Sequence, residues 1–259
     1  MIEFISQQIR DFTDIAVVGL SGGVDSTVVA TLCTLALGKE NVHGIHMPYN
    51  VDDVKSFNSR SVSLAEKLGI NSHMVSIGLI ADAINDTVFA AISGDNDDPL
   101  STLNKGNARS RARMTTLYGI SSHLNEKLKK RVRVIGTGNL SEDYIGYDTK
   151  GGDALCDLFP IGELFKSEVY QFAEVFRDMG LIDEKHIDRV PSAGLWSGQT
   201  DESELGHTYN EMEPVIKGLM NQYTMKLSDP LVKFVMDRHQ NNKHKHEAPP
   251  VLKIRQFCE

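Results

Sequence analysis

Three cysteines, one tryptophan and no long apolar run set the first limits on this 259-residue chain. Cys33, Cys156 and Cys258 lie far apart, so the sequence holds no Cys-x-x-Cys metal or redox pair and suits a reducing compartment. Cys33 sits in an apolar helical stretch and reads as a core residue. A membrane span needs roughly 18 consecutive apolar residues, and no stretch approaches that. Met1-Ile2-Glu3-Phe4 lacks the basic start and apolar centre of a secretory signal, so a cytoplasmic location is expected. Cations are also scarce: 27 Lys and Arg stand against 35 Asp and Glu, a formal charge of −8. Nucleic acids and anionic membranes demand clustered cations, so neither is expected as a partner and small ligands are favoured. With 41% hydrophobic residues the chain can bury a sizeable core, and no repeat or linker divides it, so one domain over 1–259 is expected.

What is present is an alternation. Short β-branched runs at 15–20, 42–47, 73–77 and 131–136 read as strands, with helical patterns near 24–37, 55–68, 79–92 and 106–128 between them. This rhythm predicts an α/β fold, a doubly wound, mostly parallel sheet with helices on both faces. Ligands then bind beyond the carboxyl ends of the strands, where the Ser21 loop and the turn after Val134-Ile135 should lie. Segments 93–105, 147–160 and 191–204 are expected to be mobile, the first two because turn formers replace periodicity. The His-rich stretch from His239 to His246 reads first as part of an exposed basic tail, 239–259.

The densest signal is Leu20-Ser21-Gly22-Gly23-Val24-Asp25-Ser26-Thr27, between the apolar run Ile15 to Val18 and the apolar stretch from Val28. A buried strand that breaks into Ser-Gly-Gly and restarts as a helix aims unpaired N–H groups and the positive end of a helix dipole at one spot, an anion site suited to phosphate. The glycines let a ligand approach the main chain, and Ser21, Ser26 and Thr27 could donate hydroxyl hydrogen bonds. Asp25 would repel phosphate unless a cation lay between them, which predicts a divalent metal such as Mg2+. The loop is not a Walker A motif, because the chain's Gly38-Lys39 is followed by Glu40.

Gly136-Thr137-Gly138-Asn139-Leu140-Ser141-Glu142 also follows a strand and opens a helix, repeating that logic. It is no dinucleotide fingerprint, since Ser141 stands where the third glycine belongs. Glu142 falls in the first turn, where a carboxylate is favourable on dipole grounds alone. Val169, Phe172, Ala173 and Phe176 mark an amphipathic helix with Lys166 in its first turn. A cation there opposes the macrodipole unless an anion is shared, the plainer alternative being an exposed lysine. Arg109, Arg111 and Arg113 are two apart on a helix and cannot share a face, so spacing does not choose which reaches a ligand.

Ser-Gly-Gly-x-Asp-Ser resembles the pyrophosphate loop of the N-type ATP pyrophosphatases, which cleave ATP to AMP and pyrophosphate in adenylating a substrate. Five blocks in one order narrow the resemblance to the short, ammonia-dependent NAD synthetases: Leu20 to Thr27, Lys105 to Met114, Val134 to Lys150, Pro191 to Glu202, and His244-Lys245. The resemblance implies that Gly19, Leu20, Ser21, Gly22, Gly23, Val24, Asp25 and Ser26 hold ATP, with Thr137, Lys166 and Ser192 also touching it. It implies that Asp25 and Glu142 bind Mg2+, and that Arg111, Lys150, Asp157, His244 and Lys245 bind deamido-NAD (nicotinic acid adenine dinucleotide). Asp25, Lys166 and Asp157 are then the expected catalytic groups, Asp157 as the acceptor of the proton from the attacking nitrogen. The implied reaction is adenylation of the nicotinate carboxylate followed by attack of ammonia, giving NAD+, AMP and pyrophosphate, in a symmetric homodimer whose interface builds the dinucleotide site. The pattern starts close to Met1, so free ammonia, or a separate donor protein, is the expected nitrogen source.

Two stretches depart from the family pattern. Between Lys150 and Asp157 the family usually reads Tyr-Gly-Asp-Gly-Gly/Ala-Ala, whereas this chain has Gly151-Gly152-Asp153-Ala154-Leu155-Cys156, and its end, Val251 to Glu259, replaces an acidic-aromatic one. The competing readings are another adenylating amidotransferase or tRNA-modifying enzyme of the same class, and a non-catalytic nucleotide sensor on the same fold.

Overall fold

Strand β1, Ile15–Gly19, lies at the centre of the sheet because all but its last residue are buried, an environment that suits an uninterrupted apolar run. The computed structural model describes residues 1–49, 60–92, 100–188, 200–223 and 225–252. Four parallel strands stand in the order β3-β2-β1-β4, with β2 at Val42–His46, β3 at Asn71–Met74 and β4 at Val132–Ile135. The chain leaves β1 for β2 on one side and returns to place β4 on the other. The order therefore reverses between β1 and β4, and their carboxyl ends flank the crevice where doubly wound sheets bind ligands.

Alternate residues of β1 feed two cores. Ala16 and Val18 pack with α2 (Val24–Leu37), α3 (Arg60–Leu68) and α7 (Lys166–Asp178), while Ile15 and Val17 pack with α4 (Gly78–Ile92) and α5 (Thr102–Leu128). The expected doubly wound architecture is what forms. Helix α1, Ile2–Phe12, adds to the first core through Ile9. A third cluster joins α6 (Leu140–Ile145) and Phe165 to α8 (Asp201–Leu205), α9 (Tyr209–Met220) and α10 (Pro230–Asn242), a helical lobe beside the crevice.

Three strands match their expected ranges to within a residue at either end. The third lies earlier than expected, because the apolar residues Val75 and Ile77 lie past the ladder, their N–H groups bonding to His46 and Pro48 carbonyls. Helix α5 starts ahead of its expected position because the Ser101 side chain accepts from the Asn104 N–H and caps it. Residues 102–105, expected to be mobile, are thus helical, while 93–99 and 191–199 lie outside the described residues. Segment 147–160 has no regular helix or strand yet is tied by turns and by a parallel bridge between Ile135 and Leu158.

The stretch expected as an exposed tail is instead largely stapled to α6. His239 stacks on Tyr144 at 4.2 Å, and Arg238 and Lys245 donate to the carbonyls of Ile145 and Gly146. His246 Nε2 closes the turn 2.6 Å from Asp148 Oδ2. That contact holds the imidazole above its ordinary pKa, against the opposing pull of burial and with help from Asp143. A group whose folded pKa is raised contributes stability that is complete below its unfolded value, about 6.5, and is lost as pH rises through the folded value. His246→Ala is therefore expected to lower Tm at pH about 6 and to converge on the wild type by pH about 9, as thermal unfolding across that range will show. A constant difference would remove the ion pair as its cause.

Candidate active site

Two strand-to-helix corners meet at the carboxyl ends of β1 and β4. In the first, Gly22 takes φ of 75°, a left-handed conformation that glycine adopts at no steric cost, and turns the chain into α2. Gly23 is the N-cap and supplies no side-chain bond, so the first-turn N–H groups face the crevice without an internal side-chain acceptor. Anion affinity follows from that geometry and the helix dipole. The hydroxyls behave differently from expectation. Ser26 Oγ and Thr27 Oγ1 donate to the Gly23 carbonyl at 3.0 and 2.9 Å, and Ser26 Oγ accepts the Ser21 N–H, so these two side chains stiffen the loop instead of reaching out of it. One turn of helix brings them back onto their own N-cap carbonyl, a local bond that serine and threonine readily make.

The second corner does not repeat the first. Asn139 Oδ1 accepts the Glu142 N–H and caps α6, whose first turn already carries Glu142 and Asp143, so this corner delivers carboxylates and cradles no anion. Its glycines answer to packing. A Cβ on Gly136 would stand 2.4 Å from Cys156 Sγ and 2.5 Å from Phe159 Cε1.

Lys166 joins the corners. Its Nζ donates to Asp25 Oδ2 at 2.6 Å and to Glu142 Oε1 at 2.8 Å, while Asn139 Nδ2 donates to Asp25 Oδ1 at 2.9 Å. The lysine is 4% exposed, so its position in the first turn of α7 is offset by the two carboxylates, as a buried charge requires. Burial works to lower its pKa, and Asp25 and Glu142 outweigh that effect and hold it protonated. Burial pushes the Glu142 carboxyl up to about 8, with Lys166 opposing and Asp25 adding. One ammonium between two carboxylates leaves one negative charge uncompensated whenever both are ionised.

Around this trio opens a cleft lined among others by Gly19, Leu20, Ser21, Gly23, Val24, Asp25, Thr137, Glu142 and Lys166. Gly22 and Ser26 belong to the loop without facing the space, and Ser192 lies outside the described residues. None of the five residues expected at a dinucleotide lines the cleft; Arg111, Lys150, His244 and Lys245 meet around 146–150, a segment that borders it through Tyr147 and Asp148. Arg111 Nε donates to the Lys150 carbonyl, Lys150 Nζ to the His244 carbonyl, and Lys245 Nζ to the Gly146 and Asp148 carbonyls. Asp157 does not line the cleft. Its oxygens accept the Val134 N–H at 2.8 Å and the Tyr118 hydroxyl at 3.2 Å, a placement that finishes the edge of β4 and offers no base to the cleft. Of the three alternating arginines it is Arg113 that lines the space, while Arg109 stacks on Tyr49 at 3.7 Å.

Four groups here escaped the sequence reading. Asn139 cross-links the corners, and its signal was present as an Asn just before a helical run. Arg113 was one of three equivalent candidates. Asp201, 3% exposed, lines the cleft with its Oδ2 bonded by the Tyr209 hydroxyl, and Glu213 lies behind α7; neither carries a local signature. Among the described residues the one three-membered grouping of metal-capable side chains is Asp143, Asp148 and His246, apart from the expected pair Asp25 and Glu142, and it is closed by the ion pair already described.

The sequence model of the family described as NAD synthase matches residues 1–249. Relatives include the NH(3)-dependent NAD(+) synthetase of Wolinella succinogenes, 38% identical over 98% of this chain and 94% of that protein, and that of Methanosarcina acetivorans, 38% identical over 98% and 96%. Among solved structures, NMN synthetase from Francisella tularensis superposes with a TM-score of 0.76 at 28% identity, covering 98% of this chain and 99% of that one. An NH3-dependent NAD synthetase from Campylobacter jejuni, in complex with a nitrate ion, gives 0.71 at 29% identity over 98% and 100%. A full-length match in sequence and in fold, over a cleft where a phosphate corner meets a carboxylate corner, shows that this chain belongs to the NAD synthase family.

Proposed function

We propose that the chain is an ammonia-dependent ligase that amidates the nicotinate carboxylate of deamido-NAD to give NAD+, at the expense of ATP, which becomes AMP and pyrophosphate. The observation that carries this reading is Lys166 held between Asp25 and Glu142 beside the open N-terminus of α2.

An ionised carboxylate repels a nucleophile and has no good leaving group. Its attack on the α-phosphorus of ATP expels pyrophosphate and yields an acyl adenylate. Ammonia then adds to the acyl carbon, loses a proton, and AMP departs. Charge grows on the leaving pyrophosphate, and the α2 N–H groups and the Lys166 ammonium would stabilise it. Residues Gly19 to Ser26, with Thr137 and Lys166, would bind the triphosphate, and Asn139 keeps Asp25 facing the cleft. Magnesium fits this donor set, since Asp25 and Glu142 offer hard oxygens within reach of one ammonium that cannot balance both. When bound by them it would neutralise phosphate charge. Arg111, Lys150, Asp157, His244 and Lys245 would take the dinucleotide.

A mononucleotide acceptor is the second reading, favoured by the likeness to NMN synthetase. Incubation with ATP, Mg2+, ammonium and either deamido-NAD or nicotinic acid mononucleotide separates the two. NAD+, AMP and pyrophosphate are expected in equal amounts from the first, with little turnover of the second and none with glutamine. Asp25→Asn and Lys166→Gln are each expected to cut pyrophosphate release by about 100-fold or more while leaving the circular dichroism unchanged. ATP binding with no pyrophosphate release by the wild type would overturn the enzymatic reading.

The partner that completes the substrate site is a second copy of this chain. Helix α4 buries only Gly78 and Ala81 and leaves Leu79 88% and Ile92 80% exposed, with Ile80, Val88 and Phe89 partly so. An apolar helical face of this size is costly in water and suits an isologous contact. Light scattering is expected to give twice 28.7 kDa for the wild type and a monomer for Leu79→Asp. A monomeric wild type would sink the dimer.

A further inference from the structure

Glu213 is an anomaly in the helical lobe. It lies on α9, 4% exposed, in the cluster containing Met212, Ile216 and Phe165, where a carboxylate is costly unless every oxygen is partnered. Its partners are Ser141 Oγ, which donates to Oε1 at 2.9 Å, the Ser167 N–H, which donates to Oε1 at 3.1 Å, and Ser167 Oγ, which donates to Oε2 at 2.5 Å. Ser141 is next to Glu142 in the chain, and Ser167 is next to Lys166. Ser141 Oγ also accepts the Lys166 N–H at 2.9 Å.

The N-cap of α7, Phe165, has no capping side chain, and the orphan N–H groups of Lys166 and Ser167 would be unsatisfied in an apolar surrounding. Ser141 Oγ and Glu213 Oε1 satisfy them from two other helices. The carboxylate also places negative charge at the positive end of α7, the end that must carry the Lys166 cation. Glu213 thereby fixes α6 and α7 against each other, and with them Glu142 and Lys166.

We infer that Glu213, acting through Ser141 and Ser167, is the positioning residue that holds Lys166 and Glu142 in register for adenylyl transfer. The inference rests on the proposed role of those two residues. A loose cap would let Lys166 and Glu142 drift while the α2 loop kept its own internal bonds, so the transition state should suffer more than substrate binding.

The test compares Glu213→Ala, Glu213→Gln and Ser141→Ala with the wild type. Glu213→Ala is expected to lower kcat at least 30-fold and Ser141→Ala at least tenfold, each with KM for ATP and for the acceptor within threefold. Glu213→Gln keeps the shape and two acceptor contacts and should return kcat to within about fivefold of wild type. Acylation of Lys166 by acetic anhydride, followed by peptide mass spectrometry, should be at least tenfold faster in both alanine variants. Ser141→Ala removes one oxygen and decides the question if Glu213→Ala does not fold. A kcat within threefold of wild type in the folded alanine variants, or an unchanged acylation rate, would overturn the inference. Acylation needs no turnover, so a wild type that made no NAD+ would defeat the proposed function and leave this measurement standing.

Discussion

The sharing of one buried ammonium by two carboxylates from different corners is the constraint on which the rest depends. Asp25 arrives on α2 and Glu142 on α6, each at the start of a helix fed by a strand, and the sheet order sets those strands side by side. Taking three charges out of water is expensive, and only close mutual contact with further hydrogen bonds makes it tolerable. Asn139 supplies one such bond, and Ser141 and Glu213 supply others through the backbone of Lys166 and Ser167. The surrounding polar residues therefore serve a common end, which is to keep a charged trio rigid at the mouth of an open helix terminus.

That trio also explains the division of labour between the corners. The first has a glycine in a left-handed turn and an N-terminus without a side-chain cap, so it welcomes negative charge. The second is capped by its own asparagine and carries acids in its first turn, so it welcomes positive charge. A polyphosphate and its counter-ion need both surfaces at once.

The corners were legible because glycine, hydroxyl and acid signals act over a few residues, and the strand and helix rhythm carried the sheet with them. Legibility failed where the deciding contact was distant. Glu213 meets Ser141 across 72 positions, and no window of sequence holds both. The C-terminal helices were hidden in part because Pro214, a residue that usually ends a helix, lies inside α9, and in part because the polar, His-rich stretch after Val235 looks solvated until Tyr144 is placed under His239. The direction of the Ser26 and Thr27 hydroxyls was misread for the opposite reason, since a local backbone acceptor outcompeted an imagined external one. Of the three arginines, side-chain surroundings and not spacing set Arg113 in the cleft and Arg111 beside Lys150.

Helix α6 spans only six residues, too few to persist unaided, and its last carbonyls are met by Arg238 and Lys245 from 93 and 99 positions further along the chain. The order of biosynthesis gives this a meaning. Glu142 emerges from the ribosome long before the side chains that finish its helix, so the nascent polypeptide has the glycine loop early and a completed acidic corner only after residues 238 and 245 have followed. Competence for chemistry is thereby postponed until Arg238 and Lys245 have been added to the chain.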